Sequence, residues 1–285
     1  VNLFVIGAQK SGTTSMHEYL NTHPKISMST EKEPGFFVDE LAEGRGGEAW
    51  YQSIFPVKEG AIYYGESSTH YAKYPHYKDV PQKLFQYNPN AKLIYVIRNP
   101  FDRLVSHYWH QVRSPFDGGE VSSIRKAVKK KEDYINFSNY SMQLKQYYKF
   151  FPKESIHILT FESLVENNKL VMEGVFRWLE LPSSYQYVAA GEAHNAKPEN
   201  IVGRSGMGLL NRIQYSDLWG LLSPLVPRGV KDIANGLAYA KVDPNKQEAE
   251  VAELKNELEE LFKEQVKELV DLTGMEFPEW PEYNP

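Results

Sequence analysis

The sequence predicts an α/β fold, a single domain with a central, mostly parallel sheet flanked by helices. Two observations carry this prediction. Short apolar runs, too short for helices and suited to strands buried on both faces, occur at residues 3–6, 61–65, 92–97 and 155–159. Segments with helical spacing of apolar residues alternate with these runs, which is the pattern of βαβ units. We assign residues 1–285 to this one domain. Because the chain starts with Val1 and almost at its first strand, we expect it to be a piece of a longer polypeptide.

The first strand leads into a glycine-, lysine- and threonine-rich loop. After residues 3–6 come Gly7, two further residues, and then Lys10-Ser11-Gly12-Thr13-Thr14, followed by apolar residues at helical spacing. A strand, loop and helix in this order direct backbone N–H groups, a lysine and hydroxyl groups at an anion on the helix N-terminus. The candidate phosphate ligands are Gln9, Lys10, Ser11, Gly12, Thr13 and Thr14. The alternative is an ordinary strand–helix turn with a surface lysine.

The elements that follow are read from the same patterns. Residues 25–29 alternate as in a short strand, and residues 61–66 form a strand that ends on the carboxylate of Glu66. Apolar residues at helical spacing predict further helices within 76–90, 138–151, 168–180 and 246–272.

The strand at 92–97 runs directly into Arg98. Asn99 is a suitable N-cap and Pro100 suits the first position of the following helix, which carries Ser106 about two turns along. Strand ends of a parallel sheet share one edge, so Arg98 should converge with the loop at Lys10. Two anion sites at one crevice would suit a nucleotide with phosphates at both ends of its ribose.

Composition excludes several classes of function. The net charge is −5 and the sequence pI is about 6.0, so no global basic field favours nucleic acid or an anionic membrane. There is no cysteine, which excludes disulfides and cysteine-ligated zinc and fits a cytoplasmic, bacterial setting. No apolar run reaches the length of a membrane helix.

Two of these motifs resemble those of the sulfotransferases that use 3′-phosphoadenosine 5′-phosphosulfate (PAPS). Residues 9–14 resemble their 5′-phosphosulfate loop, and residues 97–103 with Ser106 resemble their 3′-phosphate motif. The resemblance implies a P-loop-like fold, PAPS as donor without a metal ion, and transfer of a sulfonyl group to an acceptor. It also implies that Lys10 stabilises the leaving group and that Arg204 contributes to a loop over the 3′-phosphate.

Two further segments are similar to the heparan-type branch of that family. Glu33-Pro34-Gly35-Phe36-Phe37 matches its Glu-x-x-Phe-Phe segment, which implies that Glu33 is the general base. His70 is the competing base, with Glu66 expected to orient its ring. Phe37, Glu66 and Tyr71 are expected on the substrate side. Ser67 stands where that branch has lysine, and Thr69 where it has proline.

The acceptor that we favour is the β-hydroxyl of an acyl chain on an acyl carrier protein, as in similar domains of polyketide-type assembly lines. The alternatives are a free-standing bacterial enzyme acting on a small metabolite, a lipid or a glycan. A P-loop kinase would need lysine after the second glycine and an aspartate for Mg²⁺, whereas the later strand here ends on Arg98. A non-catalytic nucleotide-binding or interaction module would keep the loop without a base.

Overall fold

The computed structural model describes residues 1–113, 123–182, 201–203, 239–241 and 244–283. The chain divides into two compact units. The first comprises Val1–Arg103, Ile135–His194 and Glu260–Pro285, and the second comprises Leu104–Tyr134 and Asn195–Glu259.

A parallel sheet of five strands forms the centre of the first unit. Its strands lie in the order β2-β3-β1-β4-β5, and every neighbouring pair is parallel. This confirms the predicted mostly parallel sheet. The strands are β1 Leu3–Gly7, β2 Ile26–Met28, β3 Tyr63–Ser67, β4 Lys92–Ile97 and β5 Ile156–Thr160.

Helices occur where apolar residues recur at helical spacing, although their ends differ from the predicted ones by a few residues. Single-turn 3-10 segments cover Thr69–Ala72, Lys153–Ser155 and Pro281–Tyr283, and Ile201–Gly203 (β6) pairs antiparallel with Tyr239–Lys241 (β7). The helices are α1 Thr13–Asn21, α2 Asp39–Ala42, α3 Gly47–Ser53, α4 Val80–Tyr87, α5 Pro100–Arg113, α6 Ile124–Lys130, α7 Asp133–Asn136, α8 Tyr140–Tyr147, α9 Phe161–Glu166, α10 Asn168–Trp178 and α11 Pro244–Thr273.

The central strand β1 is buried on both faces, as its continuous apolar sequence predicts. Leu3 and Val5 belong to a core cluster that also contains buried residues of α1, α9 and α10. Phe4 packs edge-to-face on Phe37, with ring centroids 5.8 Å apart. Side chains that alternate along β1 therefore pack against residues on both faces of the sheet.

The parallel register brings the carboxyl ends of the strands to one edge of the sheet. Val5 pairs with Ser67 across β1 and β3, and Ile97 pairs with Thr160 across β4 and β5. The segments that leave this edge are 8–12, 29–38, 68–72 and 98–99, and they contain most of the candidate site residues. Within the described ranges, no helix combines the length and the apolar character needed to cross a membrane.

Candidate active site

The loop between β1 and α1 is a tight turn with two residues at positive φ. Lys10 has φ 72° and Gly12 has φ 82°, and Gly12 is the N-cap of α1. The Ala8 N–H donates to Val96 O at 2.6 Å, and the Ser11 N–H donates back to Ala8 O at 3.2 Å. A Cβ on residue 12 would lie 2.7 Å from Cδ2 of Phe161, so glycine is required for space as well as for φ.

Buried polar atoms of this loop lack hydrogen-bond partners within the described residues. They are Ser11 Oγ and Gln9 Oε1, and the Ser11 side chain is completely buried. An unsatisfied buried polar group costs about 1–3 kcal/mol, so such groups commonly indicate a ligand or water. The backbone N–H groups at the N-terminus of α1 suit the oxygens of a phosphate.

Arg98 is brought to the same loop from the end of β4. Its Nη1 donates to the carbonyl of Lys10 at 3.3 Å, and its guanidinium carbon lies 4.9 Å from the centre of the Phe161 ring. Its carbonyl accepts a hydrogen bond from the Tyr140 hydroxyl at 2.6 Å. The buried Nε has no partner among the described residues. The predicted convergence of the two strand ends at Lys10 and Arg98 is confirmed.

The helix after Arg98 begins as predicted. The side chain of Asn99 accepts hydrogen bonds from the backbone N–H groups of Phe101 at 3.1 Å and Asp102 at 3.2 Å. Ser106 is half-buried on α5, in the second unit, and Arg204 lies outside the described residues. The roles given to these two residues stay predictions.

Glu33 follows β2 and is held at the carboxyl-end edge by β3 and the turn after it. Its N–H donates to Ser67 O at 2.9 Å. Its Oε2 accepts from both the backbone N–H of Thr69 at 2.7 Å and the Thr69 hydroxyl at 3.0 Å. Its Oε1 accepts from Nζ of Lys32 at 2.5 Å. Lys32 also donates to the Thr13 hydroxyl at 3.5 Å, which connects Glu33 to the phosphate-type loop.

This environment keeps Glu33 ionised. Burial on its own would raise the pKa of Glu33. The neighbouring His70 ring and the charge of Lys32, with further hydrogen bonds, outweigh burial and lower that pKa to about 2. At neutral pH the carboxylate is therefore a hydrogen-bond acceptor and a weak base.

His70 lies beside Glu33 and not beside Glu66, which corrects the expected pairing. Nδ1 of His70 is 3.4 Å from Oε2 of Glu33, in a contact that is not aligned as a hydrogen bond. A quarter of the His70 side chain is exposed. Among the described residues, the carboxylate that lies against this ring is Glu33.

The side chains expected on the substrate side are buried, which is a second correction. Exposure is 5% for Phe37, 0% for Glu66 and 2% for Tyr71, so none can contact an acceptor directly in this structure. Glu66 accepts hydrogen bonds from the hydroxyls of Tyr71 at 2.5 Å, Ser68 at 2.8 Å and Tyr51 at 3.1 Å. Burial raises the pKa of Glu66 to about 7 despite these three donors.

Two members of this cluster, His17 and Lys32, were not among the predicted site residues. His17 on α1 bridges Ser67 Oγ at 2.9 Å and Ser29 O at 3.2 Å, so the side chain of Ser67 contacts an imidazole. Burial, followed by the charge of Lys32, lowers the pKa of His17 to about 4. Lys32 is adjacent to Glu33 in the sequence, but no sequence pattern indicates that its side chain contacts that carboxylate.

Comparison with known proteins decides the family. Residues 2–200, well over half of the chain, match the model of the sulfotransferase domain family. The chain belongs to the sulfotransferase family.

Curated sulfotransferases from animals are similar to this chain over part of their length. The chain is 26% identical over 190 residues to human heparan sulfate glucosamine 3-O-sulfotransferase 5, covering 62% of this chain and 53% of that protein. It is 28% identical over 206 residues to human bifunctional heparan sulfate N-deacetylase/N-sulfotransferase 3, covering 65% of this chain and 23% of that protein. This sulfotransferase chain thus spans about half, or less, of the curated relatives it matches.

A solved structure shares the fold over nearly the whole chain. The sulfotransferase from Alicyclobacillus acidocaldarius aligns with a TM-score of 0.68 at 23% identity, covering 98% of each chain. The donor of the family is PAPS. In this sulfotransferase, the N-terminus of α1 and the guanidinium of Arg98, which contacts the loop at Lys10, fit the phosphate groups of such a donor.

Proposed function

We propose that this chain transfers a sulfonyl group from PAPS to the hydroxyl of an acceptor. The observation that supports this best is the meeting of an anion-type loop and an ionised carboxylate at one edge of the sheet. Lys32 connects them through its contacts with Thr13 at 3.5 Å and with Glu33 at 2.5 Å. A nucleotide-binding module without catalysis would not need a carboxylate in that place.

The loop residues would hold the donor. The threonines that begin α1 and the backbone N–H groups of that helix would bind the 5′ end. Arg98, a rigid guanidinium at the end of β4, would bind the 3′-phosphate. Lys10 would neutralise the negative charge that develops on the leaving 5′-phosphate. Positioning and charge stabilisation dominate in transfers of this kind.

Glu33 would act as the general base. The acceptor oxygen forms a bond to sulfur while the bond between sulfur and the bridging oxygen breaks, and the leaving phosphate keeps that electron pair. The acceptor proton passes to the Glu33 carboxylate. His70, 3.4 Å from Oε2 of Glu33, is the alternative base, with Glu33 then orienting its ring. Glu33→Gln and His70→Asn separate the two, because only the base variant should lower kcat by roughly 10²- to 10⁴-fold.

The first acceptor to test is a β-hydroxyacyl chain on an acyl carrier protein. The net charge of −5 makes a polyanionic acceptor less favourable than a neutral hydroxyl. A glycan is the second candidate, because the human relative described above is named as a heparan sulfate glucosamine sulfotransferase. Transfer of ³⁵S from labelled PAPS to carrier-bound chains, oligosaccharides and small alcohols would rank these acceptors.

Calorimetric titration with adenosine 3′,5′-bisphosphate tests the donor site. We expect binding at micromolar concentrations, and Lys10→Ala should lower sulfonyl transfer by about 10²- to 10³-fold. Lys83→Ala is the matched control, because Lys83 forms its ion pair with Asp39 at 2.7 Å on the surface. If the bisphosphate did not bind, the proposed function would be wrong.

A further inference from the structure

Lys32 is a cation shared between the two halves of the candidate site. Its Nζ lies 2.5 Å from Oε1 of Glu33 and 3.5 Å from the hydroxyl of Thr13, the first residue of α1. The side chain of Lys32 is 27% exposed. The shorter contact shows that, in this structure, its charge is committed mainly to the carboxylate.

The backbone that carries Lys32 is fixed on both sides. The N–H of Ser29 donates to Gly65 O at 2.8 Å, and the N–H of Glu33 donates to Ser67 O at 2.9 Å. Both acceptors belong to β3, so hydrogen bonds tie the two ends of the segment 29–33 to the edge of the sheet. Rotation of the lysine side chain, which has four flexible carbons, can move the ammonium without moving this backbone.

Lys32 is a cation in direct contact with Glu33. The other titratable groups around this carboxylate are His17 on α1, Glu66 on β3 and His70 in the turn after β3. Burial and the charge of Lys32 hold the pKa of His17 at about 4, so that ring is neutral. Glu66 is acidic and fully buried. Moving the Lys32 ammonium would thus remove a principal positive charge from Glu33.

We propose that Lys32 moves its ammonium from Glu33 to the sulfonyl end of PAPS when the donor binds, and so makes Glu33 available as a base only when donor is present. The inference rests on the proposed function and deepens it. Thr13 stands in the loop proposed for the 5′ end of the donor, so the existing 3.5 Å contact already directs the ammonium there. The negatively charged sulfonyl oxygens would replace the Glu33 carboxylate as the partner of the Lys32 ammonium.

The first experiment compares two ligands that differ only in the sulfonyl group. PAPS and adenosine 3′,5′-bisphosphate are titrated into the wild type, Lys32→Met and Lys32→Arg. We expect Lys32→Met to weaken PAPS binding by on the order of 10- to 100-fold and bisphosphate binding by less than about 3-fold. Lys32→Arg, which keeps the charge, should restore most of the PAPS affinity. Equal losses for both ligands, or no loss, would refute the proposal.

Two controls make this comparison specific. Lys83→Met removes a lysine of similar exposure, 33% against 27%, that is paired with Asp39 away from the loop. It should leave both affinities unchanged. Failure of the wild type to bind the bisphosphate would count against the proposed function itself. Bisphosphate binding with an unchanged PAPS-to-bisphosphate ratio in Lys32→Met would count against Lys32 alone.

The second experiment tests the exchange of charge between Glu33 and the donor. In Glu33→Gln the Lys32 ammonium has no ion pair with residue 33 that must break when PAPS binds. PAPS should therefore bind several-fold more tightly, while the affinity for the bisphosphate stays the same. The PAPS-to-bisphosphate ratio should still fall when Lys32→Met is added to this variant. A Glu33→Gln variant with the wild-type ratio would show that the two contacts of Lys32 are not coupled.

Discussion

Glu33→Gln should reduce the stability of the protein in a pH-dependent way. The pKa of Glu33 falls from its ordinary 4.5 to about 2 in the folded protein. That difference corresponds to about 3 kcal/mol, because each pKa unit is worth ~1.4 kcal/mol. The folded pKa lies below the unfolded one. The stabilisation is therefore present above pH 4.5 and is lost as the pH falls toward 2.

The glutamine variant keeps the shape of the side chain and one acceptor oxygen for Thr69, but it loses the charge that attracts Lys32. From the same pKa values, the variant should be less stable by about 3 kcal/mol at pH 6 and by about 1 kcal/mol at pH 2.5. Urea unfolding followed by circular dichroism at both pH values measures this difference. The comparison needs no knowledge of the acceptor.

One result would refute the electrostatic argument. If the loss of stability were the same at pH 6 and pH 2.5, the side chain would contribute through packing or neutral hydrogen bonds and not through charge. Other titrating groups cancel to first order, since they are present in both proteins. A Glu31→Gln variant is a suitable control, because Glu31 is exposed and pairs with Arg45 at 3.2 Å on the surface. Its effect should stay within about 0.5 kcal/mol.

Three further substitutions test other parts of the site. Gly12→Ala should lower the free energy of unfolding by ~1–3 kcal/mol, because residue 12 has positive φ and an added Cβ would lie 2.7 Å from Phe161. The control is Gly174→Ala in α10, where an added Cβ meets no atom within 4 Å, and it should raise the free energy of unfolding by ~0.5–1 kcal/mol. Thermal unfolding measures both changes. Arg98→Lys should weaken binding of adenosine 3′,5′-bisphosphate by on the order of 10- to 100-fold in calorimetry, because an ammonium lacks the planar fork. The pKa of Glu66 is raised, so wild-type stability from this group is greatest below pH 4.5 and falls as the pH approaches 7. Glu66→Gln should therefore be more stable relative to the wild type at pH 8 than at pH 5 in urea unfolding.

The sheet and the anion-type loop could be predicted because their determinants are local. Leu3 to Ile6 and Leu93 to Ile97 are continuous apolar runs, which are typical of strands buried on both faces of a parallel sheet. The rule that parallel strands end at one edge then brought Arg98 to Lys10, and the 3.3 Å hydrogen bond confirms it. The strand order could not be derived, since it depends on which helices cover each face.

The partners of the acidic residues could not be predicted, because they are set by long-range packing. Glu66 and His70 are four residues apart, which suggested a pair. Strand β3 instead turns Glu66 into the buried face, where the hydroxyl of Tyr51, fifteen residues earlier in the chain, reaches it. Glu33 arrives beside His70 only because its backbone adopts φ 60° after β2. No sequence pattern specifies that conformation for glutamate.

The buried Glu66 explains how that unusual conformation is maintained. Its Oε2 accepts a hydrogen bond from the Ser68 hydroxyl at 2.8 Å, and the same Ser68 oxygen accepts a hydrogen bond from the N–H of Gly35 at 3.0 Å. Gly35 lies two residues after Glu33, whose own N–H is held by Ser67 at 2.9 Å. A non-glycine residue at positive φ costs roughly 1–2 kcal/mol, and it persists where surrounding bonds fix the backbone on both sides. Glu66 thus supports the conformation of Glu33 through Ser68 and Gly35 and does not contact an acceptor. This role explains why the carboxyl group of Glu66 is fully buried although it lies close to Glu33.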